Sequence, residues 1–198
     1  IGMHGKTAGS IQLDGRELIG KNVKQVLDLG VGFVPEDRTE DGLVAEFTIA
    51  ENLMLDRSDR KPFAKGLNIQ LDYLKKFAQE KLKQFDVRAQ GIDSKASQLS
   101  GGNQQKVVLA RELSRELRLL VASQPTRGLD VGSIEFVHEQ IVATRDSGIP
   151  VLIVATELDE ATQLGDRIAV MYKGKIVGIV PSNTPRATLG QMMAGISA

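Results

Sequence analysis

The stretch Leu99-Ser100-Gly101-Gly102-Asn103-Gln104-Gln105 constrains the rest of this chain more than any other. A small polar residue and two glycines stand just ahead of an apolar pattern at helical spacing. Val107, Ala110, Leu113 and Leu117 recur along it, as do Leu109, Leu113 and Leu117. The spacing predicts a helix over 106–117, with Ser100 as its N-cap. Glycines let a ligand approach bare backbone. The first turn of a helix offers unpaired N–H groups and the positive end of the helix dipole. Together they make an anion site, and phosphate is the usual anion. A glycine-rich cap with no ligand is the plain alternative, and the glycines alone do not decide between the two.

The longer string does. Leu99 to Lys106, then Leu109-Ala110-Arg111, then a strand, then Gln124-Pro125-Thr126-Arg127-Gly128-Leu129-Asp130, resembles the signature helix and following segment of an ABC-transporter ATPase. Asn103 within the signature, and Arg127 to Gly132 after Pro125-Thr126, resemble the branch that imports sugars and nucleosides. In that branch one polypeptide carries two ATPase halves, and this chain resembles the second. The resemblance runs from about Gly9 to Pro181.

The chain begins oddly for such a domain. Residues 1–8 read as the tail of something already under way. Residues 10–13 and 16–19, joined by Asp14-Gly15, predict a strand, a tight turn and a second strand. The resemblance implies a phosphate-gripping P-loop before this hairpin, yet no G-x-x-x-x-G-K-[ST] occurs anywhere in the sequence. The expectation is truncation, with the P-loop upstream. Asn22 to Leu29 predicts a short helix stopped by Gly30, and Val31 to Val34 a short buried strand. Glu36 follows, where the family carries a Gln that senses the metal and water. Its carboxylate keeps the reach and adds charge. A charged loop is the plain reading of the same residues.

Asp41-Gly42 marks a turn, and Thr48 with Glu51 predicts a capping box opening a helix over 49–55. Residues 56–65 are polar, contain Pro62, and predict a mobile surface loop. Residues 69–85 predict a helix with Leu71, Leu74, Phe77, Ala78, Leu82 and Phe85 as a core-facing stripe. Residues 87–98 form an irregular link into the signature.

Residues 117–122 are a continuous apolar run, as expected for a strand covered on both faces. Ligands bind at the C-terminal ends of such strands. There the family carries an Asp that helps to hold Mg²⁺ and a Glu that polarises the attacking water. This chain carries Ser123 and Gln124. A neutral hydroxyl and amide are poor substitutes for carboxylates near Mg²⁺, and neither is a useful general base. Losing such a group commonly costs a factor of about 10² to 10⁴ in rate. Asp130 matches the loop that crosses the family's dimer interface; a lone Asp before Val-Gly also reads as a helix cap. Residues 133–146 predict a helix ended by Gly148, and 151–155 another buried strand. Thr156 stands where the family keeps a His that contacts the γ-phosphate. A short helix (157–164), a hairpin (167–180) and a polar tail with a marginal helix near 189–193 complete the chain.

Composition narrows the function classes. The 198 residues suffice for one domain with a core, here read as a single domain over 1–198 with a helical subdomain at about 56–117. Basic and acidic residues balance at 25 each, so nothing in the charge points to nucleic acid. Without cysteine there is neither a disulfide framework nor a thiolate metal site. His4 and His138 are far apart and read as surface residues. No apolar run is long enough to span a membrane, so the expected location is cytoplasmic, peripheral on the inner face of the cell membrane.

The predicted fold is α/β, a mostly parallel sheet with flanking helices, an antiparallel hairpin at each end and a helical insertion. The resemblance implies that Ser100, Gly101, Gly102, Asn103, Gln104 and Asp130, with Glu36, bear on nucleotide binding. It also implies that Ser123, Gln124 and Thr156 mark a degenerate catalytic half. Expected cofactors are ATP and Mg²⁺ in the full assembly. Expected partners are the N-terminal ATPase half, membrane permease subunits and, indirectly, a solute-binding protein, with self-association of the chain as a further expectation. Two other readings stand beside this one: a soluble ABC protein acting away from transport, and a structural pseudo-ATPase.

Overall fold

The computed structural model describes residues 8–196. His4 lies outside them. The chain divides into two compact units, one running to Leu152 and the other from Ile153.

In the first unit, β1 (Gln12–Leu13) and β2 (Arg16–Glu17) form the predicted hairpin, and Asp14 and Gly15 both turn with positive φ. Asn22 and Gln25 close a capping box on α1 (Val23–Asp28). Next comes β3 (Val31–Val34), then a single π-turn over Arg38–Gly42 capped by Asp37. Thr48 and Glu51 make the expected box at α2 (Ile49–Met54).

The polar 56–65 segment is not the loose loop its composition suggested. Its end folds as a small hairpin, β4 (Ala64–Lys65) with β5 (Asn68–Ile69). Phe63 is 1% exposed, edge-on to both Tyr73 and Phe77, and the Arg57 guanidinium lies 4.9 Å above its ring. One aromatic and one stacked cation outweigh the polar average of the stretch. The helix that follows, α3 (Leu71–Gln84), buries Leu74 and Ala78, but Leu71, at its first residue, is exposed.

The signature helix starts at its Ser100 cap as expected but ends early. α4 is Gly101–Glu112, so the glycines form its first turn and it stops well before Leu117. Its end is closed by side chains: the Ser114 hydroxyl donates to the Ala110 carbonyl, and Arg57 Nη1 donates to the Ser114 carbonyl at 3.0 Å. The chain is then free to enter β6 (Leu119–Ser123), which pairs in parallel with β3, Val31 opposite Leu119 and Val34 opposite Ala122. The 16-residue α5 (Val131–Asp146) leads to β7 (Val151–Val154), and the sheet order is β3-β6-β7. The run 117–122 predicts a strand covered on both faces, and 151–155 another buried strand. β6 alternates buried Leu120 and Ala122 with half-buried neighbours, while Leu152 and Val154 of β7 are 55% and 50% exposed. An apolar run shows that a strand can be buried, not that an element lies over it.

The second unit holds α6 (Leu158–Leu164), the hairpin of β8 (Arg167–Tyr172) and β9 (Lys175–Pro181), and α7 (Arg186–Met193). The last helix is longer and better anchored than a marginal tail element. Leu189 is fully buried and clusters with Val170 and Met192. Among the described residues no helix is long and apolar enough to cross a membrane.

Candidate functional site

Local chemistry sets the start of α4. Ser100 has extended backbone (φ −63°, ψ 157°), and its Oγ accepts from the Asn103 N–H at 3.4 Å. Helical geometry leaves the N–H groups of Gly101 and Gly102 outside the intrahelical ladder, pointing along the axis at the positive end of the dipole. Both glycines sit close against neighbouring side chains, the flexible end of Arg38 at Gly101 and the short Ser133 at Gly102. A Cβ on Gly101 would lie 2.5 Å from Arg38 Nη2. A Cβ on Gly102 would lie 2.0 Å from the Ser133 Oγ and 3.2 Å from Asp130 Oδ2.

The second contact brings the N-terminal turns of α4 and α5 together. Asp130 caps α5: its Oδ1 accepts from the Ser133 N–H at 3.0 Å and its Oδ2 from the Ser133 hydroxyl at 2.8 Å. The hydroxyl bond, then the backbone bond, hold the Asp130 carboxyl below the usual carboxylate range. A cleft of about 460 Å³ opens between the two turns, lined by Ser100, Asn103, Lys106, Asp130, Ser133 and Phe136 among others. Two helix N-termini face this space, but its walls also carry Asp86, Asp130, Glu135 and Glu139 beside Arg88 and Lys106. The feature that suits an anion is therefore the turn at Ser100 to Gly102 and not the charge of the cleft.

The cleft is tied to the segment after α3. Lys106 Nζ donates to both the carbonyl and the carboxylate of Asp86 at 2.9 Å and lies 4.6 Å from the centre of the Phe136 ring. This bond holds the Asp86 carboxyl low. Asn103 Oδ1 accepts the Arg88 N–H at 2.8 Å.

On its other side the signature meets the loop after β3. Arg38 packs on Gly101 and donates through Nη1 to the Arg127 carbonyl at 3.0 Å. Arg127 in turn forms an ion pair with Glu36. Arg38 thus connects Gly101 to Arg127 and, through it, to Glu36, while Ser133 connects Gly102 to Asp130.

The remaining candidates sit elsewhere. Gln104 turns away and donates to the Ala96 carbonyl at 3.0 Å, and Gln105, buried, donates to the Pro125 carbonyl at 2.7 Å. Ser123 ends β6, half-buried, and Gln124 turns out of the strand with φ +44°. Thr156 lies in the second unit and is exposed. Among the described residues no group of three or more His, Asp and Glu is arranged to hold a metal ion. Sequence reading assigned no role to Arg38 or Ser133. Neither has a signal of its own, since the two act by standing against glycines distant in sequence.

A family model for the ABC transporter matches residues 1–127. The chain belongs to the ABC transporter family. This ABC transporter chain is 44% identical to the nucleoside import ATP-binding protein NupA of Lactococcus lactis subsp. cremoris, over 95% of its own length and 37% of that protein's. It is 40% identical to the guanosine import ATP-binding protein NupO of Bacillus subtilis, over 98% of its length and 38% of the relative's. Against the ribose import ATP-binding protein RbsA of Halalkalibacterium halodurans the identity is 34%, covering 87% and 34%. The chain therefore spans little more than a third of these relatives. Its fold matches that of the ATP-binding cassette MJ0796, solved as a dimer bound to ADP and Pi, with a TM-score of 0.73 at 24% identity over 90% of this chain and 75% of that one. The ABC fold thus accounts for the parallel sheet, the flanking helices and the hairpins.

Proposed function

We propose that this ABC domain is the second ATPase half of an importer for nucleosides or simple sugars, and that it works by donating its signature to the ATP site of a partner domain. The observation that carries this is the N-terminus of α4. Ser100 caps a turn whose next two residues, Gly101 and Gly102, carry no side chain, with Arg38 and Ser133 close beside it. Such a turn fits the γ-phosphate of ATP, which it would meet with backbone N–H groups and a serine hydroxyl. The import role and the solute class rest on the relatives' names, NupA and NupO first. The form Gln124 to Asp130 leans to the nucleoside side on resemblance.

The domain's own half-site is read as degenerate. Ser123 and Gln124 bring no negative charge to the end of β6, and Glu36 is engaged by Arg127. This donor set does not fit Mg²⁺, which favours carboxylate oxygens. Metal and attacking water are left to the partner's side. The partner is a P-loop-bearing ATPase domain, placed with this one on the cytoplasmic face beneath permease subunits that receive solute from a binding protein.

The test is to assemble the chain with a P-loop-bearing domain and compare Ser100→Arg with Gln124→Ala. Arginine at 100 fills a gap the phosphate needs and should abolish ATPase activity and uptake. Removing the Gln124 amide should leave most of both. Equal damage from the two changes, with both proteins folded, would make this half an active catalyst and refute the asymmetric reading.

A further inference from the structure

The Asn103 amide is gripped at both ends. Its anchor is the Arg88 N–H, which can only donate, so the oxygen of the amide faces Arg88 at 2.8 Å. Its nitrogen must then face Ser100, and it donates to the Ser100 Oγ at 2.9 Å. The Asn103 backbone N–H donates to the same oxygen at 3.4 Å. A hydroxyl has two acceptor positions and one proton. Two N–H groups occupy the acceptor positions of Ser100, so its own proton has no inward acceptor in Asn103 and is left for a ligand. The anchor is itself held, because Lys106 clamps Asp86, two residues before Arg88.

We propose that Asn103 is a positioning residue that makes Ser100 an obligate hydrogen-bond donor. An ordinary capping serine rotates and can present either a proton or a lone pair. A serine locked as donor is matched to a ligand that only accepts, and a phosphate oxygen is such a ligand. Asn103 thereby acts on the nucleotide through Ser100. The inference rests on the signature-donation reading above.

A double-mutant cycle tests it in the assembly with a P-loop-bearing domain. Ser100→Ala asks whether the hydroxyl is used at all, and kcat/KM for ATP should fall by roughly tenfold or more. Asn103→Leu should cause a loss of similar size in the native background and almost none when Ser100 is already alanine. Asn103→Asp keeps an oxygen on the Arg88 N–H, and so keeps the fold, while its second oxygen draws the Ser100 proton inward. It too should be damaging, and much less so in the Ser100→Ala background. Thermal unfolding checks that each variant is native-like. A merely structural asparagine would give losses that add to that of Ser100→Ala, and additivity overturns the positioning role. So does an active Asn103→Leu or Asn103→Asp variant beside a damaged Ser100→Ala. If Ser100→Ala is itself fully active, the donation reading fails and takes this inference with it.

Discussion

The Ser133 hydroxyl occupies the space that a side chain at position 102 would need: a Cβ on Gly102 would fall 2.0 Å from its oxygen and 3.0 Å from its Cβ. Ser133 cannot easily give way, because the same hydroxyl donates to Asp130 at 2.8 Å. Gly102→Ala should therefore lose about 1–3 kcal/mol through overpacking. Urea unfolding should show the loss shrinking in a Ser133→Gly background, where both clashing atoms are gone. An undiminished loss would place the strain somewhere other than this contact.

Glu17 provides a pH prediction. Its carboxylate accepts from the Ser10 hydroxyl and from the N–H groups of Ile11, Leu18 and Ile19. The Ser10 bond first, then the backbone bonds, bring its pKa down from 4.5 to about 2. A depressed carboxyl contributes stability above its unfolded pKa and loses it as pH falls toward the folded value. The hairpin of β1 and β2 should stay ordered through pH 5 and loosen between about 4.5 and about 2. A carboxyl-carbon NMR titration of Glu17 with a midpoint near the ordinary Glu value would contradict this.

Behind the sheet, Glu112 is 2% exposed and accepts from three donors: the Phe33 N–H at 3.1 Å, Arg111 Nε at 2.8 Å and Arg115 Nη2 at 3.4 Å. Asp56 pairs with Arg115 on its other side. Glu112→Ala would strand buried guanidinium charge and should cost about 3–5 kcal/mol. Denaturant unfolding measures it. A loss near zero would mean that water reaches the cluster.

Asn52 is fully buried and stitches the chain ahead of α2. Its amide donates to the carbonyls of Val44, Phe47 and Thr48, and its oxygen accepts the Val44 N–H at 2.8 Å. Asn52→Leu matches the volume but leaves that N–H without a partner. A loss of about 1–3 kcal/mol for each orphaned group is expected. Hydrogen exchange should report it first at Val44.

The chain alone should bind ATP very weakly and turn none over. Its sequence has no P-loop lysine and no P-loop cradle of N–H groups for the β- and γ-phosphates. Micromolar affinity by calorimetry for the isolated chain would refute this.

Much of this was legible in the sequence, because it is local. Asn22 with Gln25, Thr48 with Glu51, and Ser100 before two glycines are caps whose partners lie three residues away. Asp14-Gly15 is a turn that its own backbone preferences decide. The parallel sheet followed from apolar runs of strand length. Element ends were read less well: α4 stops at Glu112, five residues short of the Leu117 that its apolar spacing predicts, since Leu117 also belongs to the apolar run that leads into the strand that follows. Segment 56–65 misled because a polar average hides one buried Phe63, stacked under Arg57 of the same segment and edge-on to Phe77 of α3.

By itself the sequence determined which residue types stand at the head of α4 and at the end of β6. Tertiary structure alone decided what those residues touch. Arg38 lies 63 residues before Gly101 and 89 before Arg127, yet it packs on one and bonds the other. Arg88 reaches Asn103 across 15 residues, and in doing so orients the amide that faces Ser100. Gln104, beside Asn103 in the signature, turns to Ala96 instead. Side chains adjacent on a helix point about 100° apart, so adjacency in the motif could not say which of the two faces the cleft.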